Sequence, residues 1–157
     1  MKKIVRVFTI LAILGTSFST VEVYAKKKVN EVEWNAIADF DLKKSKPGPK
    51  LKKIINKEIA IVGFMIPLDS LSKQIKNFLL VPYIPSCMHV PPPPSHQIIL
   101  VKYSGKKGLK MHYGLLKVQG KLTLATTKDK KIKKDPMLNF FPAASFTIKT
   151  SSVSKEE

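Results

Sequence analysis

Five apolar runs separated by Gly-, Pro- and Lys-rich breaks organise this chain. Residues 58–69 (EIAIVGFMIPLD) are apolar almost throughout, so both faces of a strand here are expected to be covered, with Gly63 marking a bulge or sharp bend. Residues 75–82 (IKNFLLVP) and 96–103 (HQIILVKY) read as the second and third strands. Residues 115–125 (LLKVQGKLTLA) alternate, with Gly120 as a second bend, and residues 145–153 (SFTIKTSSV) form the fifth strand. A long, bent first strand among five predicts a mainly β fold: a small five-stranded antiparallel OB-like barrel with a short N-terminal helix. Closure would remove the exposed edges of these strands, and an open five-stranded sandwich is the alternative. Leu79 of the second strand and Ile99 of the third are expected to share one core.

The intervening segments carry other signals. Residues 30–41 read as a short helix capped by Asn30 with Glu33 as reciprocal partner, which puts Trp34, Ile37 and Ala38 on one face. Trp34, the only tryptophan, is expected to anchor this helix on the main domain. Residues 43–53 read as a basic linker in which Pro47-Gly48-Pro49 forbids helix. Residues 126–134 read as a lysine-rich loop, and Asp135-Pro136 opens a one-turn helix reaching Phe140. The tail, residues 154–157, is expected to fray.

At the N-terminus, Lys2, Lys3 and Arg6 precede a short apolar stretch, and Val23-Tyr24-Ala25 has the small-x-small form of a cleavage site. Residues 1–25 therefore read as a signal peptide, residues 26–53 as the N-terminal helix and basic linker, and residues 54–153 as the β domain. The expected location is the periplasm or the exterior.

Charge changes the picture only in part. The formal net charge is +17, which invites anionic surfaces such as membrane headgroups, cell-wall polymers or nucleic acid. Arg6 is the only arginine, so every later basic residue is lysine. Nucleic-acid recognition leans on arginine's planar fork, so specific nucleic-acid binding is not expected. The sequence holds no phosphate loop, dinucleotide glycine pattern, zinc-protease helix, nucleophile elbow or CxxC pair, so the reading leans away from an enzyme, with a thiol-dependent one as the least favoured alternative.

The segment richest in chemistry is Cys87-Met88-His89-Val90 followed by Pro91, Pro92, Pro93 and Pro94. One cysteine in an exported chain forms no internal disulfide, so its thiol is a metal ligand, a redox handle or a packing residue. Flanking prolines favour an extended chain, in which the side chains of Cys87 and His89 point the same way. His96 is the expected third donor, with Met88 and Asp69 as further ones. Cys, His and Met together favour Cu(I), and Cys, His and carboxylate favour Zn(II). The four prolines form a stiff extended rod. It either holds the Cys-x-His pair, with Tyr83 and Tyr103 stacking on it, or serves as a docking ledge for a partner. His112 reads as a lone surface histidine.

Residues 57–68 (KEIAIVGFMIPL), 78–83 (FLLVPY) and the Cys-Met-His-Val-Pro-Pro-Pro-Pro segment together resemble the DUF3299 family of small exported bacterial proteins. The resemblance covers residues 34–153. It implies an envelope component of undetermined activity, with envelope transport machinery or another envelope protein as partner. Where the family pattern continues Pro-Asn-Gln this chain has Ser95-His96-Gln97, which either adds a donor near Cys87 or shows that the amide is dispensable. The lipidation cysteine carried by many members has no counterpart here. The two functional expectations are an accessory protein handling a soft or borderline metal, zinc or copper, and a non-catalytic interaction module built on the proline ledge.

Protein isolated from its native host should begin at Lys26. Intact-mass measurement decides this, because a mass retaining residues 1–25 would mean an uncleaved anchor.

Overall fold

All five apolar runs become strands. The computed structural model describes residues 29–68, 71–85, 90–130 and 139–156. In chain order the elements are β1 (Asn30–Glu31), α1 (Trp34–Ile37), β2 (Phe40–Asp41), β3 (Lys46–Pro47), α2 (Pro49–Lys52), β4 (Glu58–Pro67), β5 (Asn77–Val81), a 3₁₀ turn (Ser95–Gln97), β6 (Ile99–Tyr103), β7 (Leu115–Leu124), α3 (Thr127–Lys130) and β8 (Phe146–Lys155). No helix among these residues is long and apolar enough to cross a membrane.

The barrel closes because β4 pairs with both β7 and β5. Its first part pairs antiparallel with β7, from Glu58↔Lys121 to Phe64↔Leu115, and its last part pairs with β5, from Phe64↔Val81 to Pro67↔Phe78. The change of neighbour falls at Gly63–Phe64, where the sequence placed a bend. A Cβ on Gly63 would stand 2.7 Å from the Val81 carbonyl oxygen and 3.0 Å from the Trp34 ring. The Trp34 indole N–H donates to Val62 O at 2.7 Å, so the lone tryptophan does anchor the N-terminal segment on β4. Gly120 also bends as expected, with a shift in the β7–β8 register between Gln119 and Lys121. There the Thr150 hydroxyl donates to Gln119 O.

The ring is completed in the order β4-β5-β6-β8-β7, returning to β4. Four of these junctions are antiparallel. The fifth is not: β8 runs parallel to β6, from Ile99↔Phe146 to Tyr103↔Thr150. The mixed direction corrects the all-antiparallel expectation. It follows from the ring order, in which β8 lies between β6 and β7: β6 and β8 both start at the end where β7 finishes, so as neighbours they run parallel.

Strand parity splits the apolar residues into two cores. Ile59, Ile61, Met65, Phe78, Leu80, Ile99, Val101, Val118, Leu122, Phe146 and Ile148 fill the barrel interior, joined by Ile37 of α1 and Leu51 of α2. Leu79, Val81 and Leu100 point the other way and form an outer cluster with Leu68, Ile98, Phe141 and Ala144. Leu79 and Ile99 therefore lie in different cores, against expectation. Leu79 is paired with Leu100, while Ile99 is paired with Leu80, one residue out of phase. β4 feeds both cores, with Phe64 and Ile66 packing outward, which is why its sequence is apolar on both faces.

The N-terminal segment differs from its reading. The helix is a single turn, because Asn30 and Glu31 pair with β4 instead and Val32 N–H donates to Ala60 O. The supposed linker also holds a helical turn. Pro49 sits at its first position, where a missing N–H costs nothing, and one Asp39 carboxylate oxygen accepts from the N–H groups of Lys50 and Leu51. A side chain on Gly48 would overlap that carboxylate. At the other end β8 extends through Ser154 and Lys155, paired with Lys117 and Leu116, so these two tail residues are ordered in the sheet. The one-turn helix expected from Asp135 begins outside the described residues.

Gly63→Ala should lower stability by about 1–3 kcal/mol, because the new methyl meets backbone rather than a yielding side chain. Urea unfolding monitored by Trp34 fluorescence measures it, and an unchanged midpoint would show that the β4 crossover tolerates a side chain.

Candidate functional site

The barrel's two ends follow from its topology. The β5–β6 and β7–β8 connections lie at one end, with the start of β4; the β4–β5 and β6–β7 connections lie at the other. The proline rod occupies the first end. It is held at three points. The Tyr83 hydroxyl donates to Pro91 O at 3.3 Å, Pro93 is buried, and Ser95 O accepts from Ser145 N–H at 2.9 Å. Pro91 and Pro94, one turn apart on a three-residue helix, are exposed. Tyr103 takes no part in holding the rod: its ring lies against Gly105 near the opposite end.

The chain leaves the rod at Pro94, whose φ of −66° and ψ of 156° are still those of the extended proline helix. It then makes the 3₁₀ turn, closed by Gln97 N–H donating to Pro94 O at 2.7 Å. His96 and Gln97 were expected to begin the third strand; they lie in this turn, and β6 starts at Ile99. The His96 Nδ1 is buried and has no hydrogen-bond partner among the described residues. A buried imidazole nitrogen without a partner is costly, and such an orphan calls for a functional account.

Beside the turn is a groove of about 390 Å³ lined by Phe40, Leu42, Ser45, Ser95, Leu124 and Ala125, with Ala143 and Ser145 completing the wall. Cys87, Met88, His89 and Asp69, the other expected donors, lie outside the described residues. Among the described residues no three His, Cys, Asp or Glu side chains gather to hold a metal. His112 belongs to the β6–β7 connection at the far end, so it is not part of this site.

Two charged arrangements escaped the sequence reading. Thr126 and Asp129 form a reciprocal cap on α3. The Asp129 carboxylate accepts from Thr126 N–H at 2.7 Å and from its hydroxyl at 2.8 Å, and the Thr126 hydroxyl accepts from Asp129 N–H at 3.3 Å. The T-x-x-D spacing was there to be read. Asp129 also pairs with Lys102 on the outer face of β6. Burial works against its charge but is outweighed by the hydrogen bonds from Lys102 and Thr126 and by the Lys102 charge, which hold the carboxyl well below the usual range. Elsewhere Lys117 bridges Glu31 at 2.8 Å and Glu156 at 3.4 Å beside Trp34. The hydrogen bond to Glu31 leads in raising the lysine's pKa, and the same bond lowers that of Glu31.

The outer cluster bears on function as well. Five-stranded barrels of the OB type take oligonucleotides on the face of their second and third strands. Here those strands are β5 and β6, and Phe141 and Ala144 pack over their outward residues. A nucleic-acid strand would have to displace that apolar layer.

The DUF3299 family model, described as a protein of unknown function, matches residues 18–155, and the chain belongs to this family. A crystal structure of a DUF3299 family protein from Pseudomonas aeruginosa PAO1 is similar at 32% identity, with a TM-score of 0.50, covering 68% of this chain and 65% of that one. The chain thus spans just under two thirds of that relative's length. No curated protein matches.

The Asp129 pair gives stability a defined acid dependence. Its pKa is lowered on folding, so the contribution is complete above the unfolded value of about 3.9 and is lost as pH falls below it. Asp129→Asn should cost about 2 kcal/mol at neutral pH. It should also flatten the acid limb of a plot of urea midpoint against pH; parallel limbs for parent and variant would show that the pair is not coupled to folding.

Proposed function

We propose that this DUF3299 member is a non-catalytic accessory protein of the cell envelope, exported by its N-terminal segment, whose proline-rich loop carries a soft or borderline metal ion for a transport system. Cys87, His89 and His96 are the ligands, with Met88 or Asp69 as a further donor. The observation that carries this reading is the orphaned His96 Nδ1 at the end of the rod. An imidazole nitrogen can be satisfied by a hydrogen-bond partner or, when unprotonated, by a metal, and among the described residues no partner reaches this one. The rod supplies the second requirement. It is fixed to the barrel at Pro91 and Pro93 and ends beside His96, so the Cys-x-His pair is tethered a few residues from a fixed donor. Zinc suits the pair with a carboxylate and Cu(I) suits it with Met88.

A second reading is favoured by a different observation. Pro91 and Pro94 present one exposed edge of the rod, and Val90 beside them is 42% exposed. A rigid proline edge fits the aromatic-lined groove of a partner at little entropic cost, which makes the loop a docking ledge for another envelope protein.

Elemental analysis of natively purified protein, followed by Zn(II) and Cu(I) titration, tests the first reading. One bound metal is expected, lost in Cys87→Ser, His89→Ala and His96→Gln, with thermal melting of the metal-free variants unchanged. If all three variants bind as the parent does, the ion sits elsewhere and the ledge reading replaces this one.

A further inference from the structure

The end of the barrel opposite the proline rod is built from the β4–β5 and β6–β7 connections, and these are clamped into one body. Ile75 and Leu109 exchange backbone hydrogen bonds of 2.8 and 2.9 Å, and the Lys76 ammonium donates to Gly105 O at 2.9 Å and Lys106 O at 3.3 Å. Ser104 N–H ties the same region to Thr150 O at the far end of the β6–β8 pairing. Residues 71–76 and 104–114 carry Lys73, Lys76, Lys106, Lys107 and Lys110, all exposed, and no acid. Even with the neighbouring Asp69 counted, the balance is strongly positive.

The same two segments hold the most exposed large apolar side chains among the described residues. Leu71 is 92% and Tyr113 80% exposed, and Met111 is 40% exposed. Single exposed apolar residues are ordinary on protein surfaces. Here they are grouped. Counting outward from the Ile75–Leu109 bridge, Lys73 and Met111 are each two residues away, and Leu71 and Tyr113 are each four away. The two segments thus carry matching apolar tips flanked by lysine.

We infer that this end of the barrel docks on an anionic phospholipid bilayer, with Leu71, Tyr113 and Met111 entering the headgroup layer and the five lysines facing lipid phosphates. Three features select this occupant. Lysine is a hydrated point charge suited to a diffuse anionic surface, whereas phosphate recognition in nucleic acid favours arginine. Apolar tips among cations are the pattern of interfacial membrane binding, and tyrosine settles at the headgroup level. Each lysine near an anionic bilayer contributes about 1 kcal/mol, so five reach useful affinity without a pocket. Docked in this way, the barrel points its proline rod and His96 away from the membrane.

Vesicle co-sedimentation tests the proposal, using the chain from Lys26 onward, which retains every strand and both cores. Binding is expected to vesicles of phosphatidylcholine mixed with phosphatidylglycerol and not to phosphatidylcholine alone. Lys106→Gln with Lys107→Gln should weaken it on the order of 25-fold, about fivefold per lysine. Lys52→Gln with Lys53→Gln, an equal charge loss at the other end, should leave it unchanged. Leu71→Ser with Tyr113→Ser should remove the binding that persists at high salt. Absence of binding to the mixed vesicles overturns the inference. So does equal loss in the Lys52/Lys53 pair, which would indicate net charge alone. If heparin is bound as well as the vesicles and the Leu71/Tyr113 pair changes nothing, the surface takes a soluble polyanion and the bilayer is excluded.

Discussion

The change of partner within β4 is the constraint on which the rest depends. One strand must pair with β7 along its first part and with β5 along its last, so it has to bend where the two ladders meet. Gly63 meets that need because the Val81 carbonyl and the Trp34 ring already fill the space a side chain would take. Trp34 then becomes part of the closure and not merely a weight on it, since its N–H donates to the carbonyl of Val62 beside the bend. Once β4 is bent, the ends of the barrel are defined. The proline rod is sent to one and the lysine-rich connections to the other.

Closure also fixes which apolar residues are left over. A strand buried on one face alternates, and β7 does so. β4, β5 and β6 are apolar on both faces, and their outward residues need a cover. Phe141 and Ala144 provide it. The consequence is functional: the broad face that barrels of this type offer to extended ligands is part of the hydrophobic core here. Recognition is left to the ends, where the connections vary in sequence without disturbing either core.

The strands and their bends were legible because each is a local signal: β-rich runs, and glycine at two points where backbones crowd. Direction and parity were not, since they are set by distant segments. The parallel β6–β8 pair depends on β8 entering the ring between β6 and β7. The separation of Leu79 from Ile99 depends on a register that adjacent strands choose together. Pro47-Gly48-Pro49 argues against helix as a local signal, but Asp39, well upstream, supplies the cap that makes a turn start at Pro49. The site was legible as chemistry more than as geometry. Residue type alone points to His96, but its placement in a 3₁₀ turn, with a buried nitrogen unpaired among the described residues, is a property of the fold. Thr126 and Asp129 did carry a readable capping signal, masked by the lysines around them.

The few acids explain how so basic a chain stays compact, and where its charge is free to act. Asp39 and Asp129 cap helical turns, and Asp41 accepts from the N–H groups of Lys43 and Lys44. Glu31 and Glu156 flank Lys117. Asp129 has a further duty. Lys102 stands opposite Lys149 in the β6–β8 ladder, and Lys149 stands opposite Lys121 in the β7–β8 ladder, a row of like charges that repel across the strands. Pairing Lys102 with a partly buried carboxylate relieves one end of that row. Acids used in this way are unavailable elsewhere, and among the described residues only Lys102 and Lys117 form ion pairs. The remaining lysines form no ion pair among the described residues, and around Lys73, Lys76, Lys106, Lys107 and Lys110 the two connecting segments contain no acid. At the end farthest from the proline rod the lysines therefore stand without acids in their own segments, whereas Lys43, Lys44, Lys46, Lys50, Lys52 and Lys53 at the rod end have Asp39 and Asp41 among them.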